Sequence, residues 1–328
     1  MSASPPTARS SRGDEAMEAE LTWGLPVIAY LFMAGAGAGA VVVSASVLLR
    51  GGGFGPSREA VARYGALIGP LPVILGTALI VFELGAPFRA FNLFKVINLS
   101  PMSIGSWLLG LFMVLSTLYA ATFLTPERWR WARTAKIALA WICVPIGIGV
   151  AVYTGVMIGA MPARPFWNSP IIAFLFLLSA LSAGVAAIVL TMTLARRRSD
   201  DHEVERDFEN TSYLLTASDA VLLAGELIII FLFIMFAHLT IGSTKEAVKV
   251  ILSGGPLATA FWGIVVALGI VLPLLVELKL VMPRLLYSQE FRSHRAFDVA
   301  LPVAILVGGF SLRYIVVVAG QITGPVGL

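Results

Sequence analysis

Glu83, Asp219, Glu226, Glu277, Lys279 and Arg313 stand inside, or at the ends of, long apolar stretches. A charge at the centre of a bilayer costs about 2.5–3.5 kcal/mol on insertion scales, so each one needs a partner, a route to the interface or a task. Glu226 and Arg313 lie too deep to reach an interface easily. Two readings stand level for them, a structural ion pair and a proton- or ligand-handling role. Asp219 precedes Glu226 by seven residues, which puts both carboxylates on one helical face. For Asp219, Glu277 and Lys279 the simpler expectation is snorkelling, with the apolar stem in the membrane and the charge at its edge. His238 is the one histidine in an apolar segment, and alone it reads first as a satisfied polar residue rather than a ligand.

The elements that must position these groups follow from composition. The chain has 328 residues, 58% hydrophobic and only 13% charged, with a mean hydropathy of +0.89. A soluble protein carries about 25% charged residues, so too little polar surface is present here to cover soluble cores. A membrane-crossing helix needs about 20 mostly apolar residues, and roughly eight such stretches occur. They fall near residues 23–49, 64–84, 102–124, 135–160, 168–195, 214–240, 257–280 and 299–321, separated by breaks rich in Gly, Pro and charge. The expected fold is all-α, a polytopic eight-helix transmembrane bundle over residues 23–328. Residues 1–22 are polar and mixed in charge, and are expected to form a disordered tail without a cleaved signal peptide. Loops after the first, third, fifth and seventh stretches hold about twice as many Lys and Arg as the tails and remaining loops. The positive-inside rule then places both termini outside the cytoplasm.

Scarce residue types exclude some chemistry. The formal charge of +4 and a pI near 9.4 arise from residues scattered over loops, which suits loops beside anionic lipid and gives no nucleic-acid footprint. A single cysteine, Cys143, forms no internal disulfide and ligates no iron–sulfur cluster within the chain. With His202 and His294 in charged loops, two membrane histidines for a b-type haem are also missing. The alternation Gly35-Ala36-Gly37-Ala38-Gly39-Ala40 lies mid-helix with no strand before it, so it reads as close helix packing rather than phosphate binding. Pro145, Pro273 and Pro302 read as tolerated kinks. Trp23, Trp107, Trp129, Trp131, Trp167 and Trp262, near span ends, read as an interfacial aromatic belt.

Sorted by depth, Tyr30, Glu83, Ser106, Trp107, Tyr153, His238, Arg313 and Gln321 fall in the outer halves of their helices. Glu226, Asp219 and Glu277 descend toward the cytoplasm. The outer group suits a polar pocket for an amphipathic ligand whose tail lies along apolar helices. The inner group suits the start of a proton route, and an acid beside such a pocket suits acceptance of a quinol proton.

Several segments together resemble the NrfD/PsrC family, the polysulfide-reductase type of membrane subunit. They are Trp23-Gly24-x-Pro26 with Tyr30-Leu31-Phe32 and the glycine run; Glu83-Leu84-Gly85-x-Pro87-x-Arg89-x-Phe91; Ser100-Pro101-Met102-Ser103-x-Gly105-Ser106-Trp107; Tyr153-Thr154-Gly155 with Pro165-Phe166-Trp167; Ser182-Ala183-Gly184; Phe261-Trp262-Gly263 with Leu272-Pro273; and Arg313-Tyr314 to Gly320-Gln321. The resemblance implies an eight-helix, haem-free, quinone-interacting anchor in the inner membrane of a prokaryote, serving anaerobic respiration. It further implies menaquinone or ubiquinone as bound substrate. An extracytoplasmic ferredoxin-like iron–sulfur subunit and a molybdopterin or multihaem catalytic subunit would be the partners. Glu83 stands where the family often has aspartate, keeping the carboxylate with one more methylene of reach. On this reading Glu83 accepts the quinol proton; Tyr30, Ser106, Trp107, Tyr153 and His238 hold the headgroup; Glu226, Asp219, Arg313 and Glu277 form an ion pair or proton relay. A proton or solute transporter and a purely structural anchor are the rival classes. A transporter would be marked by an inverted repeat with paired broken helices, which the sequence does not display convincingly.

Overall fold

The computed structural model describes residues 23–50, 56–83, 100–125, 130–195, 202–240, 242–289, 291 and 294–324. The polar stretch 1–22 lies outside these residues, as do Trp129 and the Leu84 to Phe91 segment after Glu83. The described residues form α1 (Leu25–Leu49), α2 (Pro56–Ile68), α3 (Pro70–Glu83), α4 (Pro101–Leu124), α5 (Arg130–Gly159), α6 (Ile171–Ala195), α7 (His202–Leu239) and α8 (Ser243–Val248). A π-helical stretch (Phe261–Val271) then continues directly into α9 (Leu272–Tyr287), and α10 (Arg295–Ile322) follows. Eight of the described helices, counting α2 with α3 and the π-stretch with α9, are long and apolar enough to cross a membrane.

Two spans begin earlier than hydropathy alone suggests. The second starts at Pro56 and breaks at Gly69, where Pro70 supplies no N–H to continue the ladder. The sixth starts at His202, because Glu203, Glu205, Arg206 and Glu209 form a charged helical turn that an apolar count passes over.

The spans pack as two groups of four, the first to fourth and the fifth to eighth, joined where α1 lies against α6. Lipid tails are as apolar as leucine, so helices in a membrane associate mainly by close packing, which favours small residues. A Cβ at Gly39 would overlap the Ala180 carbonyl of α6, and one at Gly184 would overlap the Gly39 backbone. Gly35 shares the Gly39 face, with Ala180 against it, while Gly37 faces the other way onto Gly69. The glycine alternation therefore serves two neighbours at once, and its packing role is the one the sequence suggests. Gly269 and Gly308 make a second close crossing between the π-stretch and α10, at 2.5 Å from a Cβ on either residue to the partner Cα.

The first span begins and the last ends on one face, where they are tied together. Trp23 N donates to Gln321 Oε1 at 2.8 Å and Gln321 Nε2 donates back to the Trp23 carbonyl at 3.1 Å. The Trp23 and Trp167 rings stack at 5.2 Å, Trp167 Nε1 donates to the Val316 carbonyl, and Arg164 Nη1 donates to that of Gln321. We call this the clasp face, and its counterpart the far face. The clasp corrects the aromatic-belt expectation for two residues. Trp167 is only 2% exposed and Trp23 is half-buried, because their rings close the bundle end, whereas Trp107, Trp131 and Trp262 do stay exposed.

Replacing Gly39 by valine should lower the thermal midpoint of the purified protein in detergent by an amount corresponding to about 1–3 kcal/mol of overpacking. Gly263→Ala, where a Cβ meets nothing within 4 Å, should leave it unchanged. Equal midpoints for the two variants would contradict the seam.

Candidate functional site

Two polar systems stand out, one in each half of the bundle. In the first half, Tyr30 of α1 and Tyr153 of α5 are 5% and 8% exposed and are electrostatic neighbours. Glycines make room for them: a Cβ at Gly105 would overlap the Tyr153 ring, and one at Gly76 would sit 3.2 Å from the Tyr30 Cα. Both tyrosines lie toward the clasp face, near the start of the first span and the end of the fourth.

Of the other residues expected around them, Ser106 is on α4 one position beyond Gly105, and its hydroxyl donates to the Met102 carbonyl one turn back at 2.7 Å. Trp107 follows on the same helix and is 43% exposed. Glu83 is the last residue of α3 and ends the second span at the clasp face; its side chain lies outside the description. His238 is not brought to this group. It is exposed at the end of α7, and it lines a separate crevice of about 530 Å³ with Lys245 and Lys249.

The second system is a line of buried charges. Asp219, Glu226, Glu277 and Arg313 are 2%, 3%, 5% and 0% exposed. This corrects the snorkelling expectation for Asp219 and Glu277. Their side chains are enclosed where α6, α7, α9 and α10 meet, whereas Lys279 is exposed. Glu277 and Asp219 line one small cavity, and Glu226 lies about two turns up α7 from Asp219, about 10 Å along the axis. Ser182 faces Asp219, and Ser179, one turn away on α6, faces Glu226. Arg313 Nη1 donates to Ser179 Oγ at 2.5 Å and to the Gly309 carbonyl at 2.9 Å, and Nη2 donates to the Phe176 carbonyl at 3.3 Å.

Ser179 Oγ accepts from Arg313 and so keeps its own proton free to donate, and Glu226 lies close to both, which makes Ser179 the candidate bridge between guanidinium and carboxylate. The Phe32 and Phe176 rings flank the guanidinium at 5.7 and 5.1 Å, and Gly35 of α1 leaves space against Nη2. Arg313 therefore sits at the seam between the two halves.

Toward the far face the line ends at a small cavity of about 20 Å³ lined by Asp219, Glu277 and Asp298, the last partly exposed. Such a volume suits about one water. Asp219 Oδ1, Glu277 Oε2, Ser182 Oγ and Arg313 Nε are buried without hydrogen-bond partners among the described residues. A buried polar network left partly unsatisfied is costly, so its retention points to a task beyond holding the fold. Ser179 and Asp298 were missed from sequence, and Ser182 was singled out only as part of a family motif, with no role beside the acids. Two hydroxyls three residues apart on an apolar helix were the available signal, whereas Asp298 looked like an ordinary loop acid.

Eight apolar spans and a buried acid–serine–arginine line define a multi-pass integral membrane protein built to keep ionisable groups inside the bilayer. The protein belongs to the polysulphide reductase NrfD family, whose profile matches residues 13–325. It is 29% identical to the polysulfide reductase C subunit of Wolinella succinogenes over an alignment of 318 residues, covering 92% of this sequence and 95% of that one. It is likewise 29% identical to protein NrfD of Escherichia coli over 323 residues, covering 92% and 96%. Identity to the NrfD homolog of Haemophilus influenzae is 26% over 327 residues, covering 92% and 95%.

Arg313→Met and Glu226→Gln, taken singly and together, should reveal a coupling of about 0.5–3 kcal/mol in a double-mutant cycle of thermal or denaturant unfolding. The coupling should shrink in a Ser179→Ala background. A cycle that closes to zero would remove the bridge.

Proposed function

We propose that this protein is the quinone-interacting membrane subunit of a multisubunit respiratory oxidoreductase. The observation that carries the reading is the pairing, within an NrfD-family member, of a buried tyrosine pair near one membrane face with a buried acid line running to the other. Oxidation of a quinol releases two electrons and two protons. The electrons need an acceptor at the membrane surface, and the protons need a base at the headgroup and a way out.

In this reading menaquinol or ubiquinol enters near the clasp face. Tyr30 and Tyr153 offer phenolic hydroxyls to the headgroup, Ser106 and Trp107 border it, and Glu83 accepts the protons. His238 stands apart from these groups, so its share is to attract the headgroup or a partner from the neighbouring crevice. The electrons pass to an iron–sulfur cluster of a ferredoxin-like partner, and from there to a molybdopterin or multihaem subunit. The Wolinella relative is by name one lettered subunit of polysulfide reductase, which supports a place in such an assembly. The same residues serve quinone reduction when electrons flow in the other direction.

The clasp face is extracytoplasmic in this proposal, and the membrane is the inner membrane of a prokaryote. The loops richest in Lys and Arg then lie at the cytoplasmic far face. Asp298, Glu277, Asp219 and Glu226 supply a proton route from that face toward Arg313, whose fixed charge anchors the inner end of the line at Glu226.

In the assembled complex, Glu83→Gln should lower quinol oxidation by about 10²–10⁴-fold, the usual contribution of a general base, while leaving assembly intact. Wild-type turnover in that variant would remove the assignment. Glu226→Gln should keep quinol binding and lower the number of protons moved per electron in proteoliposomes. An unchanged ratio would make the acid line structural.

A further inference from the structure

A cleft on the far side of the bundle belongs to neither polar system. It lies between α1, α2, α6 and α7, encloses about 420 Å³, and is walled by Val42, Val43 and Val47, with Leu181, Val185 and Leu222 opposite. Its polar end holds Arg50, which caps the C-terminus of α1, and Arg58, in the first turn of α2. Arg50 is exposed and Arg58 half-buried, and among the described residues neither is paired with a carboxylate. Two acids lie near. Asp207 is occupied in accepting from the Ser57 backbone N–H at 2.8 Å, and Glu59 lines the neighbouring cavity on the other side of α2 together with Arg58.

Thr211 supplies an independent sign. It is 3% exposed, lines the cleft, and its hydroxyl has no hydrogen-bond partner among the described residues. Threonines elsewhere in these helices return their hydroxyl to the carbonyl four residues back, as Thr77, Thr117 and Thr191 do. Thr211 does not, and its buried hydroxyl stands at the cleft wall without a partner among the described residues.

Two guanidiniums at the membrane edge, a buried hydroxyl and a long apolar wall ask for a ligand with an anionic head and an acyl tail. A neutral headgroup would leave the arginines without purpose, and a free phosphate would leave the wall without one. We propose that this cleft binds an acidic phospholipid, the uncompensated negative charge of its headgroup balanced by Arg50 and Arg58 and one acyl tail lying along α1 and α6. A lipid seated there touches both halves of the bundle and so fastens the seam from the far face.

The test is lipid retention by the purified full-length protein, read by native mass spectrometry after delipidation and titration with phosphatidylglycerol or phosphatidylcholine of the same acyl composition. Phosphatidylglycerol should be held and phosphatidylcholine should not. Arg50→Gln combined with Arg58→Gln should weaken the acidic lipid by about thirtyfold, at about 1 kcal/mol per cation, and leave phosphatidylcholine unchanged. Ser218→Trp, on the exposed rim, should block the cleft with both arginines in place. Equal retention of the two lipids would overturn the proposal, as would undiminished phosphatidylglycerol binding in the double variant. Displacement of the lipid by ubiquinone, or by inorganic phosphate alone, would overturn it as well.

Discussion

A fully buried arginine at a backbone-to-backbone helix seam is the constraint around which the molecule is arranged. Arg313 is enclosed at the point where α1, α6 and α10 meet. A charge there is tolerated because Ser179, Gly309 and Phe176 accept from its two terminal nitrogens, because aromatic rings lie over it, and because Glu226 is close enough to balance it. The small residues of the seam make that enclosure possible. Any side chain at Gly39 or Gly184 would push α1 from α6 and open a water path to the guanidinium, or take away its partners.

The same seam divides the buried polar groups into two sets. The first four spans carry the tyrosine pair, framed by glycines that leave room for aromatic rings near one face. The last four carry the acids, which face serines of α6 and end beside Asp298 at the other face. Arg313 stands between them. A charge at that position lies within electrostatic reach of Glu226 on one side and beside the Phe32 ring of α1 on the other.

Several features were readable in the residues themselves. The eight spans followed from hydropathy, although the ends of the second and sixth did not. Proline and charge shift helix ends in ways an apolar window averages away. The glycine alternation announced close packing, yet nothing in it said that Gly35 and Gly39 would meet α6 while Gly37 met Gly69. Glu226 and Arg313 were evident as charges too deep to snorkel. Asp219 and Glu277 were misjudged because burial depends on which neighbours enclose a helix end, and depth along one helix carries no such information. Trp23 and Trp167 likewise looked like interfacial tryptophans, and their stacking across the bundle end links residues 144 positions apart.

What the amino-acid sequence determined alone is the solvent: its eight long apolar stretches call for a bilayer and are matched by eight described helices long and apolar enough to cross one. Its family was also legible, since the motifs that carry it are local and ordered along the sequence. Only the tertiary structure decided which polar residues become neighbours. Tyr30 and Tyr153 are buried in one region of the bundle, Arg313 donates to Ser179 beside Glu226, and His238 stands apart, because helix rotation and pairing are set by close packing between spans far apart in sequence.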